Sequence, residues 1–150
     1  MDRVLIFIAT GAGSGHLPVA PGTWGSLVGV LLWLGLGHLE APVYGAVVAG
    51  LFVAGVWSAG AAEKILDRAD PGVVVIDEIV GQLIALALAP QNPVVALAGF
   101  LLFRLFDIVK PFPVGWVDTH LHGGLGIMLD DVVAGIYALL VLQGVLWFMR

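Results

Sequence analysis

Cysteine is absent from this chain, and charge is scarce. Without cysteine there can be no disulfide, no thiolate metal site and no cysteine nucleophile. Only 11% of the 150 residues are charged, whereas soluble domains carry about 25%, so the chain cannot clothe a water-facing surface. Basic residues are fewest: six lysines and arginines stand against eleven acids, for a net charge of -5. That balance argues against nucleic acid as a partner, which demands a basic stripe. A leader peptide is not expected either. The apolar run at residues 4–9 is too short for a signal segment and lacks a small-residue cleavage site, so the N-terminus is read as mature sequence.

Apolar residues fill the space that charge leaves. They make up 60% of the chain, the mean hydropathy is +1.05, and a membrane is the natural solvent for such a composition. Apolar stretches cover residues 27–37, 42–62, 73–106 and 132–149, the third broken by Pro90-Gln91-Asn92-Pro93. Two prolines in four residues end one helix and start another. Residues 73–89 and 94–108 therefore read as a helical hairpin, which makes about five apolar helices. A full span needs about 20 apolar residues, and only the second and last helices approach that length. Shorter or charge-bearing helices persist in a bilayer when their polar parts are buried against protein or a wet cavity. The expected fold is all-α: one domain over residues 1–150, an integral membrane bundle with a polar site at one membrane face. Gly25, Gly29, Ala134 and Ala138 are small enough to let helices approach closely.

The charges fit this topology. With the N-terminus cytoplasmic, the links at residues 37–41 and 90–93 lie outside with the C-terminus. Arg3, Lys64, Arg68, Arg104 and Lys110 then fall inside and only Arg150 outside, as the positive-inside rule requires. Every acid except Glu40 falls on the same inner side.

Four constellations carry possible chemistry. Asp77 and Glu78 sit among aliphatics in VVVIDEIVGQ; intramembrane acids are usually functional, although a solvated helix start would also favour them through the dipole. Gly81, four residues after Asp77, leaves room for something to approach that carboxylate. Arg104, Asp107 and Lys110 recur every third residue, on one helix face that Pro111 ends. They read either as a snorkelling ion ladder or as a mixed site, with Asp suited to a hard cation and Arg or Lys to phosphate oxygens. Asp130 and Asp131 precede the last apolar run, where one acid can cap the helix and the other is left as a ligand. Gly123, Gly124 and Gly126 would allow tight turns or close backbone approach. Finally, Gly22, Thr23, Gly25 and Ser26 lead into the first apolar helix, where free N–H groups and hydroxyls make an anion site or simply a cap beside an interfacial tryptophan.

Other motifs fail or remain bland. Pro18 and Pro21 interrupt the glycine-rich segment before it can serve as a dinucleotide fingerprint, and no P-loop is present. His120 and His122 read as interfacial loop residues, and His16, in the Gly/Pro loop, as an available acid or base. Glu63, Lys64, Asp67 and Arg68 read as a solvated helix end with i,i+4 pairs.

The segments APGTWGS, DEIVGQ, FRLFDIVKPFPVGWVD and GGLGIMLDDVVAG occur in that order between residues 11 and 135. Together they resemble the phosphatidylglycerophosphatase A family. The resemblance implies a helical protein of the bacterial inner membrane, crossing it several times with its site facing the cytoplasm. It implies Mg²⁺-dependent removal of the terminal phosphate from phosphatidylglycerophosphate, giving phosphatidylglycerol. It makes Asp77, Glu78, Asp107, Asp130 and Asp131 the motif acids, metal ligands that with Lys110 are also catalytic. Arg104 and Lys110 become the motif cations, and Gly22 to Ser26 the substrate-binding segment. Attack by water and attack by an aspartate would use the same acids. Two other classes compete: a small transporter, whose polar groups would run to both faces, and a structural membrane subunit, which leaves five gathered acids without a purpose. Within the enzymes, a CDP-alcohol phosphotransferase lacks its spaced Asp-Gly-Ala-Arg pattern here.

Overall fold

In the computed structural model, residues 1–149 are described. They form seven α-helices and one 3-10 turn, Ser14–His16, with no strand among the described residues. The helices are α1 (Asp2–Ala9), α2 (Pro21–Leu36), α3 (Ala41–Ile65), α4 (Ile76–Ala85), α5 (Pro93–Val109), α6 (Val114–His120) and α7 (Gly123–Phe148). Proline opens α2, α3 and α5 within the first two positions, where its missing N–H would have had no partner. At the break before α5, Asn92 accepts hydrogen bonds from the backbone N–H groups of Val94 and Val95, so this link holds both a stop and a cap.

The expected count of about five is corrected to seven, because α1 and α6 are too short to register as apolar runs. Two boundaries also move. The last helix begins at Gly123, well before residue 132, and α4 ends at Ala85, short of residue 89.

Helix α4 is the axis of the fold. It is only 10 residues long, ~15 Å, and Ile76, Ile79, Val80, Gly81, Gln82, Leu83 and Ala85 are all buried. Helices α2, α3, α5 and α7 pack around it. Glycine allows the closest approaches. A Cβ on Gly81 would lie 2.8 Å from the carbonyl oxygen of Asp131, and one on Gly135 would strike the Gly81 carbonyl. Gly25 and Gly29 of α2 lie in the same way against Val75, Glu78 and Gln82, the close approach their size predicts. Ala134 and Ala138 are fully buried beside Ala85 and Phe103.

The two ends of the bundle differ. At one, the links after α2 and before α5 meet: Gln91 Nε2 donates to the Trp33 carbonyl at 3.2 Å, and Tyr44 donates to the Leu83 carbonyl at 2.7 Å. At the other, the Val75 N–H donates to the Ala9 carbonyl at 2.9 Å and fixes the start of α4. The sides between are apolar and open, with Leu31, Trp57, Leu97 and Leu140 all more than half exposed. Helices α3 and α7, of 25 and 26 residues, are long and apolar enough to cross a membrane, since each exceeds the ~30 Å hydrocarbon core at 1.5 Å per residue.

Candidate active site

A cleft of about 290 Å³ opens at the end where α4 begins, lined by eight carboxylates and one lysine, Lys110. Each helix contributes what its local sequence allows. Asp77 and Glu78 occupy the first turn of α4, where the helix dipole favours negative charge. Asp130 and Asp131 lie within α7 and are 7% and 2% exposed. They are not its cap, because the helix has already run two turns from Gly123. Asp107 comes from the last turn of α5.

Oxygens of Asp77, Glu78 and Asp131 all lie within 4.8 Å of one another. Asp77 Oδ1, Glu78 Oε2, Asp130 Oδ1 and Asp131 Oδ2 are buried without a hydrogen-bond partner. Buried carboxylate oxygens are normally paired with donors or coordinated to a cation. A set of hard oxygens, with no sulfur and no imidazole in the triad, fits a hard divalent ion such as Mg²⁺.

The cations hold the edges of this group. Arg104 Nη1 pairs with Asp107 Oδ2 at 2.5 Å and reaches Ser26 Oγ at 3.5 Å, while its Nε is buried and unpartnered. Lys110 does not continue the expected Arg104–Asp107–Lys110 ladder. It closes α5 in the left-handed conformation, at φ 47°, and its ammonium turns to Asp118 and Asp130 at 2.7 Å each. Burial alone would lower the Lys110 pKa, but hydrogen bonds to Asp118 and Asp130 and the charges of both outweigh it. The net shift is upward, so Lys110 is a fixed cation.

The segment Gly22–Ser26 forms the first turns of α2 and not a loop before it. Its glycines matter most. A Cβ on Gly22 would strike the Glu78 carboxylate and lie 3.0 Å from Arg104 Nη1, so bare backbone faces the acids there. Ser26 donates back to the Gly22 carbonyl at 2.8 Å. Thr23 does not line the cleft, nor does His16. Gly81, expected to give a ligand access to Asp77, is instead filled by Phe103 and the α7 backbone. Gly124 and Gly126 likewise pack against the Val56 and Leu121 carbonyls, and only Gly123, at φ 72°, serves a turn.

Sequence reasoning missed Asp118, Glu63 and Asp70, all of which line the cleft. Asp118 lies beyond a chain reversal, out of reach of helical spacing from Lys110. Glu63 was expected in a solvated i,i+4 ladder, but α3 stops at Ile65 and Asp67 turns left-handed. Glu63 Oε1 instead accepts the Asp70 N–H at 3.0 Å. His120, expected in a loop, is the last residue of α6 and stacks on Trp116, whereas His122, which precedes α7, lines the cleft.

Fold and site together define a class: an all-helical protein whose acidic cleft, edged by two cations, opens at one end of an apolar bundle. The family model for phosphatidylglycerophosphatase A matches residues 7–146. Phosphatidylglycerophosphatase A of Escherichia coli is 39% identical over 142 residues, covering 94% of this chain and 80% of the relative. That of Haemophilus influenzae is 41% identical over 144 residues, covering 95% and 88%. A Bacteroides thetaiotaomicron protein, named as a candidate phosphatidylinositol-3-phosphatase, is 39% identical over 150 residues, covering 95% and 93%. No solved structure matches the chain. The chain belongs to the phosphatidylglycerophosphatase A family, and it is a phosphoric monoester hydrolase.

Proposed function

We propose that this protein hydrolyses the terminal phosphate of phosphatidylglycerophosphate in a Mg²⁺-dependent reaction, leaving phosphatidylglycerol. It would do so as a multi-pass protein of the bacterial inner membrane, with the cleft at the cytoplasmic face. The observation that carries the reading is the convergence of Asp77, Glu78 and Asp131 within 4.8 Å, beside Lys110 and at the end of an apolar bundle. Asp77, Glu78 and Asp131 would hold the ion, with Asp107 and Asp130 beside them in the cleft. When bound, Mg²⁺ supplies polarisation of the phosphoryl group.

The chain's own groups supply the rest. Lys110 and Arg104 balance the charge on nonbridging oxygens as the transition state develops, and Arg104 Nε is a buried donor with no other partner. Gly22 lets the α2 backbone come close to the Glu78 carboxylate and Arg104, which would hold both groups in place at the edge of the site. A carboxylate left free of the ion would take the proton of an attacking water and return it to the glycerol oxygen as the ester P–O bond breaks, or would itself attack phosphorus, displacing that oxygen to give an acyl phosphate that water then cleaves; both use the same acids. The acids lie two turns into α7, which leaves 17 residues of that helix, ~26 Å, close to the ~30 Å of a hydrocarbon core. That length supports a cleft at the membrane interface, with acyl chains in lipid and the phosphate in the cleft.

A second substrate, phosphatidylinositol 3-phosphate, is favoured by the name of the Bacteroides relative. Phosphate release from the two lipids in mixed micelles decides between them. A kcat/KM about tenfold or more higher for phosphatidylglycerophosphate supports the first reading, and the reverse preference would replace it.

A further inference from the structure

A second cavity adjoins the acidic cleft, and the reaction above makes no use of it. Between α3 and the start of α7 runs an apolar groove of about 720 Å³, walled by Phe52, Val53, Val56 and Trp57 and by Leu125, with Lys64 at its end. From residue 52 to residue 64 it follows α3 for ~18 Å. Glycines set its floor: a Cβ on Gly124 would strike the Val56 carbonyl, and one on Gly60 would come within 3.3 Å of the Gly124 nitrogen. The two backbones therefore touch, and no side chain fills the space above them.

The groove adjoins the site at Gly123. Gly123 lines both cavities, and Glu63, next to Lys64, faces the acids. Lys64 is exposed and forms no ion pair among the described residues. Another apolar groove, of about 480 Å³ between α2 and α5, ends at Gln91, Asn92 and Pro93, at the end of the bundle away from the acids. The α3–α7 groove is apolar along its walls, carries Lys64 at one end, and shares Gly123 with the acidic cleft. That sequence of properties matches an acyl tail joined to a phosphate.

We propose that this groove holds one acyl chain of the lipid substrate, with Lys64 meeting an anionic oxygen of its head group. The edge between α3 and α7 is then the route from bilayer to cleft. The assignment rests on the lipid-phosphatase reading and adds the subsite that distinguishes a membrane lipid from a water-soluble phosphomonoester.

Two readouts test it. A phosphatidylglycerophosphate analogue with a diazirine in one acyl chain, photolysed in vesicles with the wild-type protein, should label residues 52–64 or 123–125. Excess unlabelled phosphatidylglycerophosphate should suppress that labelling, and phosphatidylcholine should not. Labelling spread evenly over Leu31, Leu97 and Leu140, or indifferent to the competitor, would show ordinary lipid contact and overturn the proposal. Separately, Ala61 also lines the groove, and Ala61→Trp narrows it by more than two methylenes. It should lower the ratio of kcat/KM on long-chain over dihexanoyl substrate about tenfold, and an unchanged ratio would also overturn it. Wild-type protein that hydrolyses neither substrate, yet gives competed labelling in the groove, would refute the proposed reaction and leave the groove standing.

Discussion

Asp131→Asn should stabilise the metal-free protein while removing most of its response to Mg²⁺. Asp131 is 2% exposed, and its oxygens lie within 4.8 Å of those of Asp77 and Glu78. Two unit charges at that distance repel by about 3.5 kcal/mol at an effective dielectric of about 20. The substitution removes two such pairs at once. Relaxation of the site screens part of that repulsion, so the realised gain is smaller, about 1–2 kcal/mol. At roughly 2–4 °C per kcal/mol for a domain of this size, the unfolding midpoint in EDTA should rise by several degrees. Mg²⁺ at about a hundred times its dissociation constant would add about 2.7 kcal/mol to the wild type, and the variant, lacking one of three ligands, should lose most of that. Thermal unfolding in detergent micelles, followed by tryptophan fluorescence with EDTA or Mg²⁺, reads both effects. A variant that melts below wild type in EDTA, or keeps the full Mg²⁺ shift, refutes the reasoning.

Three further outcomes follow from the same geometry. Lys110→Met should lower kcat by about 10²–10³, whereas Asp118→Asn, which leaves Asp130 as partner to Lys110, should lower it by only about tenfold; equal losses would contradict the assignment of Lys110 to the reacting phosphate. Gly81→Ala should destabilise by about 1–3 kcal/mol through overpacking against Phe103 and the Asp131 carbonyl. Gly144→Ala, with open space around it, should gain up to about 1 kcal/mol, and matching unfolding midpoints for the two would show that α4 and α7 do not cross there. Single cysteines at Gly72→Cys and Pro90→Cys, unique in a chain that has none, should react with an impermeant maleimide from opposite sides of the membrane; labelling of both from one side would overturn the two-ended topology.

What could be read in advance depended on whether a signal was local. The break at Pro90-Gln91-Asn92-Pro93 was legible because proline and asparagine act within one turn, and Asn92 caps α5 as such chemistry requires. Asp77, Glu78, Asp107, Asp130 and Asp131 were legible because charge is scarce and each lies beside an apolar run, whereas Glu63, Asp70 and Asp118, in turns and at helix ends, passed for solvated surface. The start of α7 was not, because Gly123, Gly124 and Gly126 read as turn formers, while in the fold two of them are contact points for neighbouring backbone. The same ambiguity hid the role of Gly81. Nor could spacing alone bring Asp77 to Asp131 or turn Lys110 toward Asp118, since those meetings depend on the crossing of α4 with α7 and on the chain reversal before α6. Thr23 shows the opposite error: a residue type suited to anion binding, in a motif that reaches the site, whose side chain the α2 helix carries away from the cleft.

The central claim is that the acids at one end of this bundle act with a divalent ion on a lipid phosphomonoester. Phosphate release from phosphatidylglycerophosphate by the purified protein tests it most directly, measured with Mg²⁺, with EDTA, and with Mg²⁺ restored after EDTA. The account predicts activity that EDTA abolishes and Mg²⁺ returns. Full activity in EDTA, or none on this lipid under any of the three conditions, would contradict it.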